Sequence, residues 1–167
     1  MSNIKEIRLA GICYNTLVNG IGMRRVFFSQ GCTHNCKGCF NPETHSFTKG
    51  KMFNIDELVN EVVSDPLLKG VTFSGGDPFQ QAPAFLEFAK KLKQHNINIW
   101  SYTGYTFKEI LQGTEEQKEL LKYVDVLVDG EFKIDLKTDC KYRGSSNQNI
   151  IDVQKSLKEN KIIKYID

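Results

Sequence analysis

The chain has 167 residues, 40% hydrophobic and 25% charged, with a formal net charge of +2. These values fit one globular domain, 1–167, with enough apolar content for a core. A charge this small, without blocks of like charge, excludes a nucleic-acid footprint, and no apolar run is long enough to span a bilayer.

In chain order, the polar N-terminus lacks the apolar centre of a signal peptide, so a cytoplasmic protein is expected. Residues 4–10 and 24–29 read as strands. Residues 30–50 read as a loop rich in Asn, Gly, Thr and His. Asn54 stands three residues before Glu57, a capping-box-like start, and apolar positions 55, 58, 59, 62 and 63 then fit a helix. Residues 70–74 read as a strand running into Gly75-Gly76-Asp77-Pro78. A helix follows over 80–95, with Pro83 tolerated in its first turn and Lys90, Lys91 and Lys93 suited to its C-terminal dipole. Residues 97–102 alternate as a strand. Short helices at 106–112 and 115–122 are split by Gly113, and a strand over 124–128 ends at Asp129-Gly130. The tail reads as two strands, 149–155 and 161–166, joined by a turn at 158–161.

Alternating strands and helices predict an α/β fold with a parallel sheet and right-handed crossovers. A complete eight-fold barrel takes about 250 residues, more than this chain has, so an incomplete, TIM-like barrel with its helices outside is expected. The unusual residues fall after successive predicted strands: the loop 31–41, Gly75-Gly76-Asp77, Tyr102-Thr103-Gly104-Tyr105 and Asp129-Gly130. In a parallel sheet these carboxyl ends share one face, which is where ligands bind.

The loop 31–41 carries Cys32, Cys36 and Cys39 in a C-x3-C-x2-C spacing, and no fourth cysteine lies nearby. Five cysteines is an odd number, and crowding three together favours metal binding over disulfides in a reducing compartment. Three thiolates can hold three corners of a four-iron cluster and leave one iron open, whereas four cysteines normally close an electron-transfer cluster. A zinc site completed by His34 or His45 is the alternative. Cys13 and Cys140 stand apart and read as incidental residues.

The other motifs carry two readings each. Gly75-Gly76 lets a ligand approach the backbone, or simply makes a tight strand-to-helix turn. Tyr102–Tyr105 and Asp129-Gly130 are ligand loops or ordinary strand ends. Arg143, beside small polar residues, suits a carboxylate, a partner surface or a solvated loop. Arg24 and Arg25 share that ambiguity, with water as the plain alternative.

The cysteine spacing resembles the motif of the radical S-adenosylmethionine superfamily. Cys32-Thr-His34-Asn-Cys36-Lys-Gly38-Cys39-Phe40-Asn41, Phe-Ser-Gly-Gly-Asp-Pro, Tyr-Thr-Gly-Tyr, Val-Asp-Val-Leu-Val-Asp-Gly and Arg-Gly-Ser-Ser-Asn-Gln148 together resemble the activating proteins of anaerobic ribonucleoside-triphosphate reductase. The resemblance runs from about residue 20 to 155 and implies a single radical S-adenosylmethionine domain. It implies a [4Fe-4S] cluster on Cys32, Cys36 and Cys39, with S-adenosylmethionine on the open iron, both at the C-terminal ends of the strands. Gly75, Gly76 and Asp77 would orient the methionyl end, with Asp77 standing where a Glu is usual. The superfamily often has an aromatic residue before the third cysteine, and here that residue is Gly38. Adenine contacts would then come from the backbone of 38–40 (Gly38, Cys39, Phe40), from the Phe40 ring or from Tyr102, with Asp129 a further cofactor residue. The implied reaction is reductive cleavage to a 5′-deoxyadenosyl radical that takes hydrogen from a glycine of the reductase. A flavodoxin-like donor would supply the electron. Activation of a pyruvate formate-lyase type enzyme, small-molecule radical chemistry and a zinc-stabilised binding module are the competing functions.

Overall fold

A computed structural model of the chain describes residues 3–166; residues 1, 2 and 167, at the ends of the expected domain, lie outside the described residues. Eight strands form one sheet: β1 (Glu6–Thr16), β2 (Arg24–Ser29), β3 (Lys51–Asn54), β4 (Gly70–Gly75), β5 (Asn98–Tyr102), β6 (Val126–Asp129), β7 (Asn149–Asp152) and β8 (Lys164–Ile166). Their order is β3-β1-β2-β4-β5-β6-β7-β8, an open sheet with β3 and β8 at its ends. Only β2, β4, β5 and β6 run parallel. The flanking pairs β1–β2, β1–β3, β6–β7 and β7–β8 are antiparallel, so the expectation of parallel strands holds for the middle of the sheet alone.

The central strands are apolar along most of their length because both faces are covered. Adjacent residues point to opposite faces, so Ile99 joins the main core and Trp100 a second cluster. The main core packs Ile7, Phe27, Val71, Phe73, Ile99 and Leu127 against helices α1 (Ile55–Val63), α2 (Ala82–Lys93) and α4 (Glu115–Tyr123). Phe73 and Phe85 meet edge-on at 4.8 Å, and Phe27 meets Phe88 at 4.9 Å. Each such ring contributes about 1.5–3 kcal/mol by leaving water. The second cluster holds Trp100, Val126, Val128 and Ile150.

Neither Arg24 nor Arg25 faces water. Arg24 is buried on the second face, where it donates to Thr72 Oγ1, the Val71 carbonyl, the Ile21 carbonyl, and the carbonyl and Oδ1 of Asn98. Its guanidinium also lies over Trp100, 5.6 Å from the ring centroid. Burial lowers its pKa to about 10, against the opposing pull of Asp125, and the carbonyl cage satisfies the cation. Arg25 pairs with Asp65 at 3.1 Å.

Helix starts follow their caps. Asn54 accepts from the Glu57 N–H and begins α1 as expected. Helix α3 (Phe107–Leu111) opens on a reciprocal box: Thr106 Oγ1 accepts from the Glu109 N–H, and Glu109 accepts from the Thr106 N–H. Thr106→Ala is expected to remove about 1 kcal/mol. At the scale of roughly 2–4 °C per kcal/mol for a chain of this size, thermal melting followed by circular dichroism reads this directly, and an unchanged midpoint would refute the cap.

The tail differs from the expectation of two strands meeting at a turn. β7 ends at Asp152, and α5 (Val153–Glu159) follows before β8. Asp152 caps this helix by accepting from the Lys155 N–H, and Asn160 ends it in the left-handed conformation at φ 57°. Val153 and Ser156, three apart, are its buried positions, a helical spacing inside a segment read as alternating. β3, between the segment read as a loop (30–50) and the start of α1, was also not expected; it is recruited by pairing with β1.

Candidate functional site

The segments that follow β2, β4, β5 and β6 stand side by side because those strands are parallel neighbours. They enclose a cavity of about 460 Å³ lined by Cys32, Cys36 and Cys39 together with Phe40, Gly75, Gly76, Tyr102 and Gly130. Cys13 lies in the β1–β2 ladder opposite Val26 and Cys140 is exposed, and neither lines this cavity.

The cysteine loop is tied down at its start. The Gly31 N–H donates to the Thr44 carbonyl at 2.6 Å and the Cys32 N–H to the His45 carbonyl at 3.1 Å. Gln30 donates to the carbonyls of Glu43 and Ser46. Thr33 and Gln80 exchange two hydrogen bonds. A turn closes from the Cys39 N–H to the Cys36 carbonyl at 3.1 Å. Gly38 sits exposed in that turn, backed by Ile134, and does not line the cavity. The Gly-Gly-Asp turn packs on the loop: the Asp77 N–H donates to the Gly31 carbonyl, and a Cβ at Gly76 would stand 2.4 Å from that oxygen. Glycine is required at 76 by this close approach.

The structure separates the expected cofactor residues into two groups. Gly75, Gly76, Tyr102, Phe40 and Cys39 line the cavity. Asp77 and Asp129 do not; both are buried beneath it. Asp77 accepts from the Phe79 N–H, the Thr103 hydroxyl and the Gly104 N–H, and its Oδ2 lies 2.6 Å from His34 Nε2. Asp129 accepts from the N–H groups of Phe107 and Asn149, joining β6 to α3 and β7. Burial raises the Asp129 pKa against those two hydrogen bonds. Phe40 is tilted against Phe132 at 4.6 Å, and burial pushes the Tyr102 phenol upward.

Burial also raises the Cys32 thiol to about 11 and moves the Cys36 thiol upward, with the Glu131 charge adding to the latter. Coordination to a metal overrides such shifts, because a coordinating thiol is deprotonated outright. The donor set fits a four-iron cluster. Such a cube takes each thiolate on a separate iron, so three thiols lining one cavity suit it. His34 has a carboxylate on each ring nitrogen. Burial disfavours its charge, but the hydrogen bond to Asp77 and the charges of Asp77 and Glu131 prevail, so its pKa lies above the usual value. His45 Nε2 is buried without a hydrogen-bond partner in the described structure, on a residue that lines the cavity.

Sequence reasoning did not single out Thr103, Phe132, Tyr142 or Gln148 as site residues. Phe132 and Tyr142 line the cavity as aromatics from outside any motif. Gln148 donates to the Gly130 carbonyl and accepts from the N–H groups of Gly144 and Ser145, fastening the 143–148 loop to the end of β6. Arg143 also lines the cavity and donates to the Gln148 carbonyl. Thr103 stood inside a motif that was already visible, and its position between two tyrosines was the available signal.

Comparison with known proteins adds the following. The family described as "4Fe-4S single cluster domain" matches residues 18–151. The anaerobic ribonucleoside-triphosphate reductase-activating protein of Enterobacteria phage T4 is 37% identical over 140 residues, covering 80% of this chain and 86% of that protein. The protein of the same name from Vibrio cholerae is 38% identical over 145 residues, 80% of this chain and 90% of its own. That from Escherichia coli strain K12 is 36% identical over 142 residues, 79% and 90% respectively.

Proposed function

Because the chain belongs to the family of anaerobic ribonucleoside-triphosphate reductase-activating proteins, we propose that it activates such a reductase as a radical S-adenosylmethionine enzyme, with the whole chain forming that one domain. The observation that carries this reading is the meeting of Cys32, Cys36 and Cys39 with Gly75, Gly76 and Tyr102 in one cavity at the ends of parallel strands. The three thiols would hold a [4Fe-4S] cluster and leave its fourth iron for S-adenosylmethionine. When bound and reduced, such a cluster would supply the electron for reductive cleavage of S-adenosylmethionine to methionine and a 5′-deoxyadenosyl radical, which would take hydrogen from a glycine of the reductase.

The chain's own residues do the rest by binding and orientation. Gly75 and Gly76 offer a backbone surface free of side chains, against which a methionyl group can lie. Asp77, held by four partners below them, keeps that turn and the 103–104 segment in place. Phe40, Tyr102 and the backbone of 39–40 supply flat and polar surface for adenine, and Asp129 fixes the strand end beside them. The open sheet supports reading the fold as a partial TIM-like barrel, whose missing side admits a peptide loop. A flavodoxin-like protein would deliver the electron. A cytoplasmic setting is part of this proposal; among the described residues no helix is long and apolar enough to cross a membrane.

Electron paramagnetic resonance on anaerobically reconstituted, reduced protein tests the reading. The expected result is a reduced four-iron signal that changes when S-adenosylmethionine is added. No cluster signal, with about one tightly bound zinc per chain, would overturn it.

A further inference from the structure

The cysteine loop is held at its start by backbone and glutamine contacts, but its middle hangs on one side chain. His34, between Cys32 and Cys36, has an imidazole only 10% exposed. Its Nε2 lies 2.6 Å from Asp77 Oδ2, and its Nδ1 lies 3.3 Å from Glu131 Oε1. The ring meets Tyr105 edge-on with centroids 4.7 Å apart. Gly104 makes room for it, since a Cβ there would stand 2.5 Å from His34 Cδ2. Asp77 follows β4, Gly104 and Tyr105 follow β5, and Glu131 follows β6. One imidazole therefore joins the loop after β2 to the ends of the three parallel strands beside it. Glu131 also reaches Cys36, its Oε2 lying 4.0 Å from Sγ.

We propose that His34 is a positioning residue: by bridging Asp77 and Glu131 across Gly104 it sets where Cys32 and Cys36 stand in the cavity, and so how firmly they hold the cluster. This rests on reading the three cysteines as cluster ligands. With its nitrogens on two carboxylates, His34 is not itself a ligand; it acts through the backbone that links it to Cys32 and Cys36. Without it, the segment from Thr33 to Gly38 keeps the Thr33–Gln80 pair near its start and the long Cys36–Glu131 contact, and loses the imidazole's ties to Asp77, Tyr105 and Glu131. Hydrogen-bonding partners behind metal ligands commonly alter metal affinity by about 10–100-fold.

The test compares wild type, His34→Ala, His34→Gln and Gly104→Ala after anaerobic reconstitution. Two quantities are read: the rate at which a ferrous chelator strips iron, and the shape of the reduced paramagnetic signal. Circular dichroism of the iron-free proteins checks that each is folded. His34→Ala is expected to lose iron at least about 10-fold faster than wild type, with an altered signal. His34→Gln, whose amide N–H can reach Asp77, should recover most of the difference. Gly104→Ala keeps the histidine but displaces its ring, so it should shift in the same direction as His34→Ala, and it carries the test with His34→Gln if the alanine variant does not fold. Iron loss from His34→Ala at the wild-type rate with an unchanged signal would overturn the proposal. So would a glutamine variant no better than alanine together with a Gly104→Ala protein indistinguishable from wild type. Absence of a four-iron signal in wild type would instead bring down the reading of the site, and this inference with it.

Discussion

Alanine in place of Cys32, Cys36 or Cys39 is expected to abolish the reduced four-iron signal and to lower reductase activation at least about 100-fold. Loss of a residue behind a metal ligand already costs about 10–100-fold, and on the proposed reading each of these variants removes a direct ligand. No other cysteine can substitute, because Cys13 is fixed in the β1–β2 ladder and Cys140 lies outside the cavity wall. Cys13→Ala and Cys140→Ala are therefore the matched controls, expected to bind iron and activate like wild type. The buried core contains none of the three thiols, so the variants should remain folded by circular dichroism. Iron per chain, the paramagnetic signal and anaerobic activation of the reductase are the three measurements. A Cys36→Ala protein with a full-strength signal that still responds to S-adenosylmethionine would refute the ligand assignment.

Asp77→Ala should be the most destabilising change near the site, by about 3–5 kcal/mol, because several buried donors, each costing about 1–3 kcal/mol when unmet, lose their acceptor together. Phe79 N–H, Gly104 N–H and the Thr103 hydroxyl all donate to this fully buried carboxylate. At the scale of roughly 2–4 °C per kcal/mol for a chain of this size, the melting point of the iron-free protein should fall by roughly 6–20 °C. A carboxylate whose main task is to reach into the cavity for a ligand would not produce that fall, since its removal would leave the iron-free fold untouched. Melting of the iron-free variant alongside wild type separates the two, and matching midpoints would restore Asp77 to a ligand-facing role.

The cysteine spacing, the paired glycines and the four strand ends were legible in the sequence because each is local: a few adjacent residues specify a turn or a strand. The convergence of the strand ends was legible too, since parallel neighbours share a direction. What sequence could not supply was long-range partnership. His34 looked like a candidate zinc ligand, and its actual neighbours lie 43 and 97 positions away. Asp77 looked like a ligand for the cofactor until Thr103 and Gly104 were seen on its oxygens. Arg24 was open to reading as a functional cation or as one facing water, because its burial depends on carbonyls and side chains from other strands. Helix α5 was hidden for a different reason: its seven residues give a short apolar pattern that fits two periods, and Asp152 and Asn160 were the punctuation that decided it.

The sheet that stays open also exposes two edges, and an unpaired edge is a template for strands of another molecule. Here the edges are β3 and β8, only four and three residues long. Each begins with a solvent-exposed lysine, Lys51 and Lys164. Short length and a positive charge at the rim are the devices by which natural sheets resist edge-to-edge aggregation. Replacing those lysines with β-branched apolar residues would leave the cavity untouched and turn an open sheet into an adhesive one.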